Sequence, residues 1–265
     1  MKKYLIIGNP LDHSLSPKLH NYWLKKNNLS AIYEKKEINT DNIKEVFLKI
    51  NKGEIKGMNV TVPFKKAVIP YLDKLSDLAE RTQSVNTIYQ QNNKIIGDNT
   101  DIQGFEFGIK YSGFEIKNKK VFILGAGGVT PSVLFSLINQ GASEIYLSNR
   151  TMEKAQKLKK LFPEIKIVEW GNVVNFDIVL NTTSIGLNEG DQIKLDFSNS
   201  GSNKLFYDII YKPKQTNFLS TGKKLGNKIE NGLMMFIFQA QLSFEIWHGI
   251  KPIVDEKVIE ILEND

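Results

Sequence analysis

Lys120-Val121-Phe122-Ile123-Leu124-Gly125-Ala126-Gly127-Gly128-Val129-Thr130 decides the fold. Val121 to Leu124 form an unbroken apolar run, which suits a strand covered on both faces rather than one with a wet side. The run passes directly into Gly125-Ala126-Gly127-Gly128, and helical periodicity begins at Thr130. Glycine here allows a tight turn and a close approach of backbone to a pyrophosphate. The helix start beyond it offers N–H groups and the positive end of the helix dipole. Thr130 stands where the third glycine of G-x-G-x-x-G would be, so the turn alone reads equally as a phosphate cradle or an ordinary loop.

The next strand, over 144–148, ends at Ser148-Asn149-Arg150-Thr151, where an NAD-binding unit usually carries Asp or Glu for the ribose 2′-hydroxyl. Asn149 and Arg150 stand there instead, with Lys154 one turn on. A guanidinium forks onto a 2′-phosphate that a carboxylate would repel. The position therefore favours NADP; the plainer alternative is a charged helix start on the surface. Further strands over 165–168, 177–180 and 205–207, with helices over 130–140 and 152–161, predict a parallel, doubly wound sheet. Asn181-Thr182-Thr183-Ser184-Ile185-Gly186 follows the 177–180 strand, at the carboxyl end where such sheets bind ligands. It suits the ribose and nicotinamide half of a cofactor, and reads equally well as a turn.

Upstream, shorter elements alternate. Strands are expected over 4–8, 32–38 and 57–62, helices over 17–28, 42–50, 64–69 and 73–81, and a hairpin of 86–90 with 94–97. A helix over 101–111 leads into the second pattern, and helices over 232–248 and 254–263 follow it. Ser14 and Ser16 precede Pro17 at a helix start, where two hydroxyls can clamp a carboxylate or one can simply cap the helix. Asn59 and Thr61 share a strand face by the period of two. Lys65 follows Pro63, and a lysine in a cleft can exchange a proton with a hydroxyl in a redox step. Lys66 fits the same description, and spacing does not separate the two. Asn86, Asp98 and Asp101 add polar groups where the pattern changes, with a solvated turn and a helix-start acid as the alternatives for the two carboxylates.

The 265 residues suffice for one large or two smaller domains, and 41% hydrophobic with 24% charged residues is ordinary for a folded globular chain. No run of 18 apolar residues occurs, so no membrane partner is expected. The apolar stretch of the N-terminus stops at Gly8-Asn9-Pro10, too early for a signal-peptide core, and reads as a first strand in a cytoplasmic protein. The absence of cysteine excludes disulfides, thiolate metal sites and a cysteine nucleophile. His13, His20 and His248 are too scattered for a metal site. The net charge of +6 is spread along the chain without interleaved aromatics, which argues against a nucleic-acid partner.

Jointly these motifs closely resemble the shikimate dehydrogenases. The resemblance rests on Asn9-Pro10 with His13-Ser14-Leu15-Ser16-Pro17, Asn59-Val60-Thr61-Val62-Pro63-Phe64-Lys65, Val85-Asn86-Thr87 and Gly97-Asp98-Asn99-Thr100-Asp101. It continues through Gly125-Ala126-Gly127-Gly128, Ser148-Asn149-Arg150-Thr151, Asn181-Thr182-Thr183-Ser184-Ile185-Gly186 and Tyr207-Asp208-Ile209-Ile210-Tyr211, in order over essentially the whole chain. It implies a two-domain α/β protein, with a substrate-binding domain of 1–99 plus 233–265 and a Rossmann-like, doubly wound NADP-binding domain of 100–232. It implies reversible, NADP-dependent reduction of 3-dehydroshikimate to shikimate, on the route to chorismate and the aromatic amino acids. Small molecules would be its ligands, no metal would be needed, and the chain would act as a monomer or homodimer.

The resemblance also implies roles. Lys65 would carry the proton, with Asp101 orienting it and hydrogen-bonding substrate. Ser14, Ser16 and Tyr211 would hold the substrate carboxylate, and Asn59, Thr61, Asn86 and Gln239 the ring hydroxyls. Gly125, Ala126, Gly127, Gly128 and Val129 would cradle the pyrophosphate. Asn149, Arg150, Thr151 and Lys154 would surround the 2′-phosphate, and Asp77, Thr183, Ile209 and Gly232 match further cofactor positions. The chain departs from the family's pattern at Val129-Thr130-Pro131-Ser132, where small residues and then Arg are usual. It departs again at Gly232-Leu233-Met234-Met235, where Gly-Leu-Gly-Met is usual, and at Lys154, which is often Arg. Two alternatives stand beside this reading: a relaxed quinate/shikimate dehydrogenase, and a non-catalytic NADP-binding sensor. Arg150 argues against NAD preference in the first, and the presence of both Lys65 and Asp101 argues against the second.

Overall fold

The computed structural model describes residues 1–263, in two units: Met1–Gly104 with the chain from Ile237 onward, and Phe105–Phe236. In the first unit β1 (Lys2–Gly8), α1 (Ser16–Lys26), β2 (Ala31–Glu37), α2 (Ile43–Asn51), β3 (Gly57–Val60), β4 (Lys74–Leu75), α3 (Asp77–Thr82), β5 (Thr87–Gln91) and β6 (Lys94–Asp98) follow in chain order. They form a six-stranded sheet in the order β2-β1-β3-β5-β6-β4. β1, β2 and β3 run parallel, β5 is antiparallel to both neighbours, and β4 pairs parallel with β6. β1 is apolar on both faces because both are covered. Leu5 and Ile7 pack with Val46, Phe47 and Ile50 of α2, while the Tyr4 ring meets that of Trp247 at 5.2 Å.

Three expectations here need correction. The helix over 64–69 is a run of turns followed by a 3-10 turn, Ile69–Tyr71. Pro70 has no N–H to donate to Lys66 O, which instead accepts from Ile69 N at 3.2 Å in a tighter i→i+3 bond. The helix over 73–81 begins only at Asp77, because Ser76 caps it by accepting from Ala79 N at 3.2 Å; residues 74–75 are extended against β6. The strand over 57–62 ends at Val60.

The unit division falls within α4 (Asp101–Tyr111). The second unit then carries β7 (Lys120–Leu124), α5 (Thr130–Asn139), β8 (Glu144–Ser148), α6 (Met152–Leu161), β9 (Lys166–Val168), β10 (Ile178–Asn181), β11 (Leu205–Asp208), α7 (Asn217–Lys224) and β12 (Lys228–Glu230). Its sheet is parallel throughout, in the order β12-β11-β10-β7-β8-β9. This is the doubly wound order of dinucleotide-binding folds, with the reversal between β7 and β10. The apolar run of β7 is explained: Val121 and Ile123 face one core with Val133, Leu134 and Leu137. Phe122 and Leu124 face another with Phe176, Phe206 and Phe218. α7 and β12 were absent from the sequence expectation. β12 has only three residues, and its pairing with β11 is what defines it. α8 (Leu233–His248), which contains the second division, and α9 (Glu256–Glu263) follow. Among the described residues no helix is long and apolar enough to cross a membrane.

Candidate active site

Lys65 sits in the turn after β3, and its carbonyl accepts from Val85 N at 2.9 Å, which fixes it beside Asn86. Asp101 opens α4, its N–H donating to Asn99 Oδ1 at 3.2 Å. Lys65 Nζ donates to Asp101 Oδ2 at 2.5 Å, and the two side chains are only 9% and 8% exposed. Lys66 is exposed, so burial makes the choice that spacing left open. Asn86 Nδ2 donates to the other carboxylate oxygen, Asp101 Oδ1, at 2.8 Å. A charge this enclosed persists only when paired and hydrogen-bonded. The result is an ammonium fixed in place, with a proton to give to an oxygen brought against it.

Behind this pair lies a polar cluster. Asn86 Nδ2 also reaches Thr100 Oγ1 at 2.9 Å and Gln239 Oε1 at 3.4 Å, while Asn86 Oδ1 accepts from Thr100 N at 2.8 Å and Thr87 Oγ1 at 3.0 Å. Ser243 Oγ lies 2.7 Å from Thr87 Oγ1 and 3.2 Å from Thr100 Oγ1. Asn59 is buried: its Nδ2 serves Asn86 O, Thr87 Oγ1 and Ser243 Oγ, and its Oδ1 accepts from Tyr33 OH. Its carboxamide hydrogens are thus taken by the chain itself, which leaves none for a ring hydroxyl. Tyr33, Thr87, Thr100 and Ser243 were missed in the sequence; the one signal for Ser243 was its position four residues after Gln239, on the same helix face.

Neither Ser14 nor Ser16 caps α1, whose N-cap is Leu15 without a side-chain bond. Ser14 Oγ accepts only a long 3.4 Å contact from Ser16 N, and Ser16 is buried in the first turn. Thr61 is half-buried just beyond β3, and Asp77 is an exposed acid in the first turn of α3. Asp98 is no free turn residue: it accepts from Ser76 Oγ at 2.5 Å and Asn99 N at 2.7 Å. All these residues, with Gln239, belong to the first unit. Tyr211 belongs to the second, its ring 4.7 Å from that of Phe236.

In the second unit the predicted cofactor residues other than Asp77 follow the carboxyl ends of parallel strands, where doubly wound sheets bind ligands. Gly125 has φ +109°, and a Cβ there would lie 2.7 Å from Thr183 Cγ2 and 2.9 Å from Thr182 Oγ1. Thr130 compensates for the missing third glycine: its buried hydroxyl accepts from Gly127 N at 3.0 Å and lies 3.0 Å from Thr182 Oγ1, tying the turn to β10. Pro131 sits harmlessly in the first turn of α5. Asn149 Oδ1 accepts from Ala126 N at 3.0 Å while its Nδ2 donates to Thr151 O at 2.7 Å, so this carboxamide clamps the turn to the end of β8. Gly127, Gly128, Arg150, Thr151 and Lys154 are exposed, and Val129 is half-buried.

Thr183 donates through Oγ1 to Asn181 Oδ1 at 2.7 Å, and Asn181 Nδ2 donates to Asp208 Oδ1 at 3.0 Å. Burial raises the Asp208 carboxyl to about 6, against the donors Thr216 Oγ1, Ile210 N and Asn181 Nδ2. Gly232 is required by contact: a Cβ would stand 2.0 Å from Ile209 O, so the two predicted residues Ile209 and Gly232 touch. Met234, which stands where the family's pattern has glycine, is buried inside α8.

Known proteins match this arrangement over its length. A family model described as "Shikimate dehydrogenase substrate binding domain" matches residues 6–88, and one described as "Shikimate / quinate 5-dehydrogenase" matches residues 109–209. The chain is 53% identical over 262 residues to the NADP(+) shikimate dehydrogenase of Pelagibacter ubique, covering 99% of each. The crystal structure of shikimate dehydrogenase from Aquifex aeolicus superposes with a TM-score of 0.90 at 36% identity, covering 100% of this chain and 98% of that one. The Thermus thermophilus enzyme in complex with NADP(H) and shikimate gives a TM-score of 0.90 at 30% identity, covering 100% and 99%. With both sheets, the glycine turn and the buried lysine–aspartate pair in place, and with relatives matching from end to end, the chain belongs to the shikimate dehydrogenase family.

Proposed function

We propose that this protein is an NADP-dependent oxidoreductase acting on a CH–OH group, interconverting 3-dehydroshikimate and shikimate. The observation that carries the reading is the buried Lys65–Asp101 pair, with Asn86 on the second carboxylate oxygen. Reducing the ketone requires a hydride at carbon and a proton at oxygen. NADPH supplies the hydride when bound. Lys65 Nζ supplies the proton and recovers it from the hydroxyl in the reverse reaction. Asp101 holds the ammonium and accepts from a neighbouring ring hydroxyl. Ser14, Ser16 and Tyr211 hold the substrate carboxylate; neither serine hydroxyl is spent on capping α1, which supports this role. Thr61 and Gln239 receive the ring hydroxyls, and Asn86, whose amide is engaged by the chain like that of Asn59, supports them from behind with it.

The residues of the second unit suit NADP by their chemistry. Arg150 and Lys154 are exposed cations flanking Thr151 at the head of α6, and no acid occupies 149–152 to repel a 2′-phosphate. Gly125 to Val129 take the pyrophosphate, and Thr183, Ile209, Gly232 and Asp77 are further cofactor positions. The same proposal has domains of 1–99 plus 233–265 and 100–232, and an enzyme working in the cytoplasm as a monomer or homodimer. The test is absorbance of the reduced nicotinamide with shikimate or quinate and NADP or NAD. Shikimate-dependent NADP reduction, lost in Lys65→Ala and Asp101→Ala, is expected. NADP binding without turnover on either substrate would instead mark a sensor.

A further inference from the structure

We infer that Tyr33 is a positioning residue for the catalytic pair, setting the orientation of Asn86 through Asn59 and the Thr87–Ser243 hydroxyls. This rests on the reading of Lys65 and Asp101 as that pair. Asn59 Nδ2 lies 3.0 Å from the carbonyl oxygen of Asn86. A flipped carboxamide would set two carbonyl oxygens against each other, so the Asn59 oxygen must face Tyr33. The Tyr33 hydroxyl, 2.7 Å away, must then donate.

Thr87 Oγ1 and Ser243 Oγ, 2.7 Å apart, can each donate to the other, and one path of donors leads through them to Asn86. Asn59 Nδ2, with one hydrogen on Asn86 O, shares the other between Ser243 Oγ at 3.0 Å and Thr87 Oγ1 at 3.2 Å. Thr87 Oγ1 passes its proton to Asn86 Oδ1 at 3.0 Å, where Thr100 N also donates at 2.8 Å. The carbonyl end of Asn86 is thereby held inward, and its NH₂ points at Asp101 Oδ1, 2.8 Å away. Lys65 Nζ meets the other oxygen of the same carboxylate. One continuous path of donors thus leads from Tyr33 through Asn59, Thr87 and Asn86 to Asp101. A reversed Asn86 would turn its oxygen toward the carboxylate and repel it. Tyr33 is 2% exposed, and its ring stacks on His20 at 4.2 Å and 4°, so the hydroxyl is held on a rigid base. Networks of this kind are apportioned by double-mutant cycles.

The experiment is a cycle between Tyr33→Phe and Asn86→Ala, with kcat and both KM values read from NADPH absorbance and folding checked by circular dichroism. Tyr33→Phe keeps the ring and the stack and removes the donor. We expect kcat to fall roughly tenfold with the KM for NADP unchanged, and expect no further loss when the change is made in Asn86→Ala. A parental kcat, or the same fold-loss in both backgrounds, overturns the inference. Should Tyr33→Phe fail to fold, Ser243→Ala interrupts the same path and is read in the same cycle against the same outcomes. Asp101→Ala is assayed alongside. If it is inactive while Tyr33→Phe is parental, only the positioning role is lost; if it is active, the catalytic pair is wrong and the positioning role falls with it.

Discussion

Asp101→Asn keeps the shape of the side chain and removes its charge. Lys65 then holds an ammonium against a carboxamide in a site where its side chain is 9% exposed. Removing one partner of a buried pair costs about 3–5 kcal/mol. Against typical stabilities of about 5–15 kcal/mol, this lowers the melting temperature by roughly 6–20 °C without abolishing folding. The companion is the double variant Lys65→Met with Asp101→Leu, in which no charge is buried. Its stability should return to within about 1–2 kcal/mol of the parent while turnover remains lost. Urea denaturation with turnover measured on the same samples reads both. A single variant within about 0.5 kcal/mol of the parent, or a double variant as unstable as the single, would refute the view that Lys65 is charged and held by Asp101.

Gly232→Ala drives a methyl into Ile209 O, 2.0 Å from the added carbon, so the second unit should lose about 1–3 kcal/mol and the NADP Kd, read by fluorescence titration, should rise at least tenfold. Parental stability and Kd would contradict the contact. Arg150→Ala should raise the KM for NADP roughly tenfold to hundredfold and leave that for NAD unchanged, the worth of one charge-assisted hydrogen bond; an equal rise for both would remove the 2′-phosphate role. His20 is lowered from 6.5 to about 3 by burial and then by His248, so the unfolded chain binds the extra proton between those values. Unfolding free energy therefore rises with pH across that window and is lost on acidification, and His20→Phe should flatten the curve measured by urea titration at several pH values. Asp208 has the opposite sign: raised from 3.8 to about 6, it keeps in the folded state a proton that the unfolded chain sheds. Its contribution falls as pH rises from near 4 to 6, and Asp208→Asn should remove that fall; an unchanged slope would count against burial of an ionisable group there.

Much of this molecule is legible locally. The β7 run, the glycine turn and the helix after it are read from periodicity and from the conformational freedom of glycine, and the doubly wound sheet follows from strand–helix alternation. The order of short motifs identifies the family, because each motif is contiguous and its chemistry travels with it. Local reading fails where a neighbour from elsewhere decides. Pro70 cuts the helix expected over 64–69 to turns, and β12 exists only by pairing with β11.

The sequence by itself determined the two-part α/β plan and the NADP-dependent family, and it nominated the residues proposed to carry the chemistry. The tertiary structure alone decided which of Lys65 and Lys66 is buried against Asp101, that Asn59 and Asn149 spend their amides on the chain, and that Ser243 completes the cluster behind Asn86. The physical reason is that a polar group's role depends on whether its hydrogen bonds are already satisfied. Its partners here come from remote parts of the chain, as Ser243 of α8 does for Thr87 of β5, and sequence spacing carries no record of them.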